Sequence, residues 1–156
     1  MMHGYGMDGY GGHILRVDLS SGEIAREKTD PDLMLETIGG RGLNSRRLFD
    51  ELKKDIDPLS SENMLLIGVG PVTGSLFSTS AYITISGKSP MTGILGDSAA
   101  GGFLGPEIKY AGYDQLIFTG KSDRLCYVLI CDDRVEIRDA SHLKGKDIFQ
   151  TSDLIK

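Results

Sequence analysis

Met64-Leu65-Leu66-Ile67-Gly68-Val69 is an unbroken apolar run in which apolar and polar side chains do not alternate. A run of this length and character is typical of a β-strand that is buried on both faces. A second strand is predicted over 81–86, because Tyr82-Ile83-Thr84-Ile85 combines aromatic and β-branched residues. Residues 70–79 between them are dominated by glycine, serine and threonine and predict a loop. The fold is therefore expected to contain a substantial β-sheet.

Upstream of this run the chain predicts a hairpin and two helices. Residues 13–27 nearly alternate between apolar and polar on either side of a Ser20-Ser21-Gly22 turn, which predicts a β-hairpin. Asp30-Pro31 predicts the start of a short helix, since aspartate caps a helix and proline suits its first position. A second, amphipathic helix is predicted over 43–54. Its apolar face would consist of Leu43, Leu48, Phe49 and Leu52.

Downstream, residues 96–102 (Gly-Asp-Ser-Ala-Ala-Gly-Gly) predict a turn that leads into a helix over 103–111. Residues 146–156 look like the beginning of another helix, so the domain is expected to continue in a longer parent chain. Three further strands are predicted at 116–118, 125–131 and 135–137. About seven strands and three or four helices that do not strictly alternate predict an α+β fold, rich in β-sheet with a few short helices.

Composition narrows the class of protein. The chain has 156 residues, 40% hydrophobic and 25% charged, as expected of one soluble globular domain. A net charge of −5 argues against nucleic-acid or anionic-membrane binding, and no apolar run approaches the ~20 residues that cross a bilayer. Residues 1–12 lack the basic start and apolar stretch of a secretion signal. We expect a cytoplasmic protein with a flexible tail over 1–12 and a folded domain over 13–156.

Motifs for familiar active sites are incomplete. A phosphate-binding loop ending at Gly87-Lys88-Ser89 would need glycine where Tyr82 stands. Cys126 and Cys131 are five residues apart in one predicted strand, so their side chains point to opposite faces and cannot grip one metal ion. The three histidines lie far from one another, and none is at ligand spacing to another histidine, a cysteine or a carboxylate. No catalytic or metal-ligating set is predicted.

The glycines form the remaining signal. Glycine accounts for 21 of 156 residues, well above the usual ~7%, and it clusters between patterned segments. A glycine-rich turn entering a helix can offer backbone N–H groups to an anion. The stretch 97–102 before the predicted helix has this form, and loop 70–79 could supply a facing wall. Ordinary structural turns are the alternative interpretation of each loop.

Six motifs that follow one another along the chain are typical of one protein family. They are Ile14-Leu15-Arg16-Val17-Asp18-Leu19, Gly39-Gly40-Arg41-Gly42-Leu43, Gly70-Pro71-Val72-Thr73-Gly74, Lys88-Ser89-Pro90-Met91-Thr92-Gly93, Gly101-Gly102-Phe103 and Ala111-Gly112-Tyr113-Asp114. In this order, from about Tyr10 to the end of the chain, the sequence resembles the N-terminal domain of the aldehyde ferredoxin oxidoreductase family. The members of that family are tungsten or molybdenum bis-pterin enzymes.

The resemblance implies a sheet that forms a base for the bis-pterin cofactor. The loop matching 97–102 would approach the pterin phosphates and their bridging magnesium, largely through backbone atoms, so Ala99, Gly101 and Gly102 become candidate cofactor-binding residues. Two of the candidate positions depart from the family pattern. Ala99 stands where the family usually has asparagine. Tyr82 stands where the family places an arginine between the pterin and an iron–sulfur cluster.

The same resemblance implies an activity for a larger assembly. The family oxidises aldehydes to carboxylic acids and passes the electrons to ferredoxin. The ligands of its 4Fe-4S cluster and further pterin motifs lie in later domains that this chain does not contain. The expected partners are therefore those remaining domains, or a subunit that carries them, and ferredoxin; the isolated chain is expected to be inactive. The alternative is a stand-alone, non-catalytic binding or assembly module, with self-association as a homodimer left open.

Overall fold

The computed structural model describes residues 8–155, which form a six-stranded sheet, a separate two-stranded sheet and four α-helices. The strands are β1 (His13–Asp18), β2 (Ile24–Lys28), β3 (Leu65–Val69), β4 (Tyr82–Lys88), β5 (Leu95–Gly101), β6 (Gln115–Thr119), β7 (Cys126–Cys131) and β8 (Arg134–Asp139). The helices are α1 (Pro31–Thr37), α2 (Gly40–Glu51), α3 (Leu104–Tyr110) and α4 (Ile148–Ile155). The predicted α+β class is confirmed.

The large sheet has the strand order β2-β1-β6-β3-β4-β5. Only β1 and β6 run parallel; the other neighbouring pairs are antiparallel. β3, the apolar run, is indeed an interior strand. Leu66 is completely buried, whereas Leu65 remains 48% exposed, so burial on both faces is incomplete. The sheet's free edges are β2 and β5.

Opposite faces of the sheet bury two apolar clusters. One face packs Leu15, Val69 and Leu116 against Ile108 of α3, with the β7–β8 hairpin beside them. The other face packs Leu66 and Ile117 against α2. The same cluster also contains Ile14, Leu48 and Met64. Because side chains alternate along a strand, this arrangement assigns each position of the sheet to one face or the other.

The predicted helices form, with corrections at their ends. Asp30 caps α1 as predicted, its carboxylate accepting from the backbone N–H of Asp32 at 3.0 Å. α2 begins at Gly40, earlier than predicted, because glycine permits a corner that other residues could not form. Gly39 has φ +114°, and a Cβ at Gly42 would lie 2.3 Å from the Thr37 carbonyl oxygen. Phe49 was predicted on the apolar face but is 85% exposed.

The turn predicted over 96–102 is wrong. Residues 95–101 form strand β5, which pairs antiparallel with β4, and α3 begins only at Leu104. The sequence misleads here because small residues carry almost no strand preference, and pairing with β4 imposes the extended conformation. The anion site predicted at a helix entrance over 97–102 is therefore not formed as a turn.

Residues 10–12, which were assigned to the flexible tail, contact the domain. The backbone N–H groups of Gly11 and Gly12 both donate to the Asp114 carboxylate at 2.8 Å, and the Tyr10 hydroxyl donates to the Ile38 carbonyl. Residues 1–7 of the predicted tail lie outside the described residues. No helix in the described part of the chain is long and apolar enough to cross a membrane.

Candidate functional site

The register between β4 and β5 brings the four candidate residues together. Tyr82 lies opposite Gly101, and Ala99 lies opposite Thr84. Gly102 continues the ladder by donating its N–H to the Ala81 carbonyl at 3.1 Å. All four predicted cofactor-binding residues thus lie at one edge of the sheet, although the sequence placed three of them in a turn.

The hydrogen-bonding pattern turns part of the β5 backbone outward. In an antiparallel ladder, bonded pairs alternate with unbonded ones. The bond between Gly102 and Ala81 makes theirs a bonded pair, so the pairs of Ala99 with Thr84 and Gly101 with Tyr82 are unbonded. Because β5 is an edge strand, the N–H and C=O groups of Ala99 and Gly101 point away from the sheet.

The part of this edge that carries the candidate residues has uncharged side chains, all of them small except that of Tyr82. We use "open face" for the sheet surface formed by Tyr82, Thr84, Ala99 and Gly101, which lie on the same side of the sheet as α2. Ala99 and Gly101 are exposed, and the Tyr82 side chain is 56% exposed. The exposed ring and the small side chains of this face can pack against a planar ligand, and the backbone groups at the adjoining free edge of β5 can form hydrogen bonds with it.

A cleft of about 250 Å³ adjoins the open face. Gly39 and Gly40, at the start of α2, line one side of it, and Tyr82 and Thr84 line another. Loop 70–79 contributes Gly70, Val72, Thr73 and Thr79 to the lining, whereas residues 97–102, which this loop was predicted to face, do not line the cleft. All the residues that line the cleft are uncharged.

Sequence reasoning missed Thr84, Gly39 and Gly40 as site residues. The Gly39-Gly40-Arg41-Gly42 motif was a usable signal, since it was already noted as part of the family pattern. A Cβ at Gly40 would lie 3.6 Å from the Thr84 hydroxyl oxygen, so the start of α2 packs closely on β4. This close approach gives the cleft its glycine wall.

The nearest charges neutralise each other. The Arg41 guanidinium of α2 lies 2.5 Å from the Asp97 carboxylate of β5, which is largely buried. The second Asp97 oxygen accepts a hydrogen bond from the Ser86 hydroxyl at 3.0 Å. The open face therefore lies beside a paired cation and anion and has no net charge from them.

No metal-ligating cluster accompanies the open face. Within residues 8–155, no three His, Cys, Asp or Glu side chains are placed to hold a metal ion. Cys126 is half-buried and Cys131 is exposed, at opposite ends of β7 and both as free thiols.

Comparison with known proteins decides the family. The model of the aldehyde ferredoxin oxidoreductase N-terminal domain matches residues 14–156. The chain belongs to the aldehyde ferredoxin oxidoreductase family. It is 41% identical over 150 residues to the tungsten-containing aldehyde ferredoxin oxidoreductase of Pyrococcus furiosus, and 42% identical over 150 residues to that of Thermococcus kodakarensis. These matches cover 96% of this chain and 25% of each relative.

A solved structure agrees with the assignment. The domain superposes with a TM-score of 0.93 and 43% identity on a chain of the active-site complex BamBC of benzoyl coenzyme A reductase, solved with 1,5-dienoyl-CoA. The match covers 95% of this chain and 23% of that one. The chain therefore spans about a quarter of the length of the relatives it matches, and it corresponds to their N-terminal domain.

Proposed function

We propose that the open face is the base on which an oxidoreductase holds a tungsten bis-pterin cofactor. The observation that supports this most is the outward-facing backbone of Ala99 and Gly101 at the free edge of β5, beside an uncharged surface that carries the Tyr82 ring. Pterin rings are planar and carry both donors and acceptors at their edges. A strand edge offers N–H and C=O groups in alternation, which suits such a ligand.

The residues present fit the cofactor. Ala99 lacks the side chain of the asparagine that the family usually has at this position, but it keeps its backbone carbonyl. Carbonyl oxygens are ligands that magnesium accepts. Glycine at 101 leaves space beside the Tyr82 ring that a Cβ would occupy at an ordinary contact distance of 3.8 Å. Ala99, Gly101 and Gly102 would bind through their backbones, and Tyr82 would cover the cofactor's flank.

When bound, the cofactor would supply the two-electron chemistry, while this chain positions it and excludes water. Tyr82 contributes an apolar ring to that exclusion. The 4Fe-4S cluster, ferredoxin as the electron acceptor, the remaining domains as partners and a cytoplasmic location stay predictions. The stand-alone binding module is not favoured, because 96% of the chain matches the N-terminal quarter of a much longer oxidoreductase.

A second candidate activity is reduction of an aromatic coenzyme A thioester. The match to benzoyl coenzyme A reductase, at 43% identity, is as strong as the matches to aldehyde oxidoreductases at 41–42%. Tyr82, in place of the family's arginine, also removes a positive charge from the open face. Assays of the complete enzyme with an aldehyde and with an aromatic acyl-CoA would separate the two activities.

Two neighbouring alanines provide a test of cofactor binding. Ala99 and Ala100 are both exposed on β5, but they point to opposite faces of the sheet. Ala99→Leu should place a bulky side chain on the open face and abolish bound tungsten in the anaerobically purified protein. Ala100→Leu, the matched control, should retain it. Equal tungsten content in both variants and the parent would contradict the proposal.

A further inference from the structure

A continuous chain of side-chain contacts runs beneath α2 from the edge of the sheet to its interior. Asp97 of β5 accepts from Ser86 of β4 at 3.0 Å, and Ser86 accepts from the Asn44 amide of α2 at 3.1 Å. The Asn44 amide oxygen in turn accepts from Gln115 of β6 at 2.7 Å. Arg41, one helical turn before Asn44, closes the arrangement by pairing with Asp97.

The chain of contacts is buried except at its Arg41 end. Asn44 and Gln115 are completely buried and Ser86 is 1% exposed, so no water competes for their hydrogen bonds. Gly68 of β3 makes the crossing sterically possible, because a Cβ there would lie 2.7 Å from the Asn44 amide oxygen. Buried polar groups of this kind fix one arrangement, since any displacement leaves donors unpaired.

Asp97 lies on β5, the edge strand of the large sheet. Among the described residues β5 pairs only with β4, so no ladder bonds from residues 8–155 hold its outer edge. Asp97 lies two and four residues before Ala99 and Gly101 and shares their face of the strand. It is the point at which the buried network reaches the open face.

We propose that Asp97 is a positioning residue for cofactor binding. By joining Ser86 to Arg41 it fixes the spacing between β5 and the start of α2, and so holds the outward-facing backbone of Ala99 and Gly101 in place. Its charge also neutralises the Arg41 guanidinium, so that the pair would add no net positive charge beside a cofactor held at the open face. This inference rests on the proposed function of the open face.

The positioning role is tested on the 156-residue chain without cofactor, by amide hydrogen exchange. In Asp97→Ala, the amides of Ser98 and Ala100, which face β4, should exchange about tenfold faster or more. The amides of Leu15 and Val17 in β1 should not change. Asp50→Ala is the matched control, because it removes the exposed ion pair that Asp50 makes with Arg46 on the same helix. Unchanged amide exchange in β5 of Asp97→Ala, or equally accelerated exchange in β5 and β1, would overturn the proposal.

The charge role needs a readout that a structural residue would not alter. Asp97→Asn keeps an oxygen that can accept from Ser86 but loses the ion pair with Arg41, so β5 exchange should lie between that of the parent and that of Asp97→Ala. The unpaired Arg41 should then raise the midpoint potential of the tungsten in the complete enzyme, because a nearby positive charge stabilises the reduced state. Adding Arg41→Gln should restore the parental potential. An unchanged potential in Asp97→Asn would refute the charge role.

The outcomes for the two proposals are distinguishable. If the parent holds tungsten but Asp97→Ala does not change β5 exchange, the positioning role fails and the proposed function stands. If the parent holds no tungsten and pterin, the proposed function fails whatever the exchange result. The positioning of β5 by Asp97 would then be a structural property without the cofactor role given to it here.

Discussion

Tyr82 lies directly opposite Gly101 across the β4–β5 ladder, with its ring beside the one position of the pair that has no side chain. The aromatic ring therefore stands next to a gap at the sheet surface. The ring is 56% exposed and contributes little to the core, which suits a side chain that contacts a ligand.

Tyr82→Ala should lower tungsten and pterin content at least severalfold while changing the free energy of unfolding by less than about 1 kcal/mol. The reason is that the substitution removes contact area for a bound ring from a surface that the core does not need. Phe49→Ala is the control, since Phe49 is also exposed but lies on α2 away from the open face. Loss of cofactor in both variants, or in neither, would argue against a specific role for Tyr82.

Gly68 should tolerate no side chain. A Cβ there would lie 2.7 Å from the Asn44 amide oxygen and 2.9 Å from the Gly40 carbonyl oxygen, so α2 would have to lift from the sheet. Gly68→Ala is expected to cost about 1–3 kcal/mol in urea unfolding. Gly70→Ala should cost much less, because its nearest neighbour would be the Thr73 hydroxyl at 3.8 Å. Similar losses for the two variants would contradict this packing argument.

Asp114 is predicted to be the most sensitive carboxylate in the domain. It is completely buried, pairs with Lys109 at 2.6 Å, and accepts from the backbone of Gly11 and Gly12 and from the Thr29 hydroxyl at 3.1 Å. Asp114→Ala leaves a buried ammonium and two N–H groups unpaired, and should cost about 3–5 kcal/mol. Asp50 provides a control, because its ion pair with Arg46 is exposed. Asp50→Ala should cost less than about 1 kcal/mol.

Much of the fold could be predicted because local chemistry and tertiary structure agree. Asp30 and Pro31 specify the start of α1, and the alternation of residues 13–27 specifies the first hairpin. β5 could not be predicted, because Gly96-Asp97-Ser98-Ala99-Ala100 has no strand preference and is extended only through its pairing with β4. Nor does any local pattern reveal that Asp114 binds residues about a hundred positions earlier in the chain.

The candidate site, like the fold, could be predicted only in part. Ala99, Gly101 and Gly102 were named because the family motif includes them, and their backbone exposure was not visible in the sequence. Thr84 belongs to the site only through sheet register, which sets side chains from separate segments on one face. Register of this kind depends on contacts between distant residues.

The β7–β8 hairpin should lose stability in acid. Hydrogen bonds from Arg134 and then from Arg138 hold the pKa of Glu136 below its ordinary value of 4.5. A carboxyl group with a lowered pKa in the folded state stabilises it above the unfolded pKa, and this contribution is lost as pH falls through the lower, folded value. The melting temperature of the parent should thus fall more steeply than that of Glu136→Gln below about pH 4.5. Parallel curves would show that the ion pairs do not contribute.

The central claim is that this domain forms the base of a tungsten bis-pterin site. The most direct measurement is the tungsten and pterin content of the protein purified anaerobically and untagged from its native host, with any chain that co-purifies. The account predicts about one tungsten and two pterins for each copy of the domain. A domain that retains its fold but carries neither tungsten, molybdenum nor pterin would contradict it.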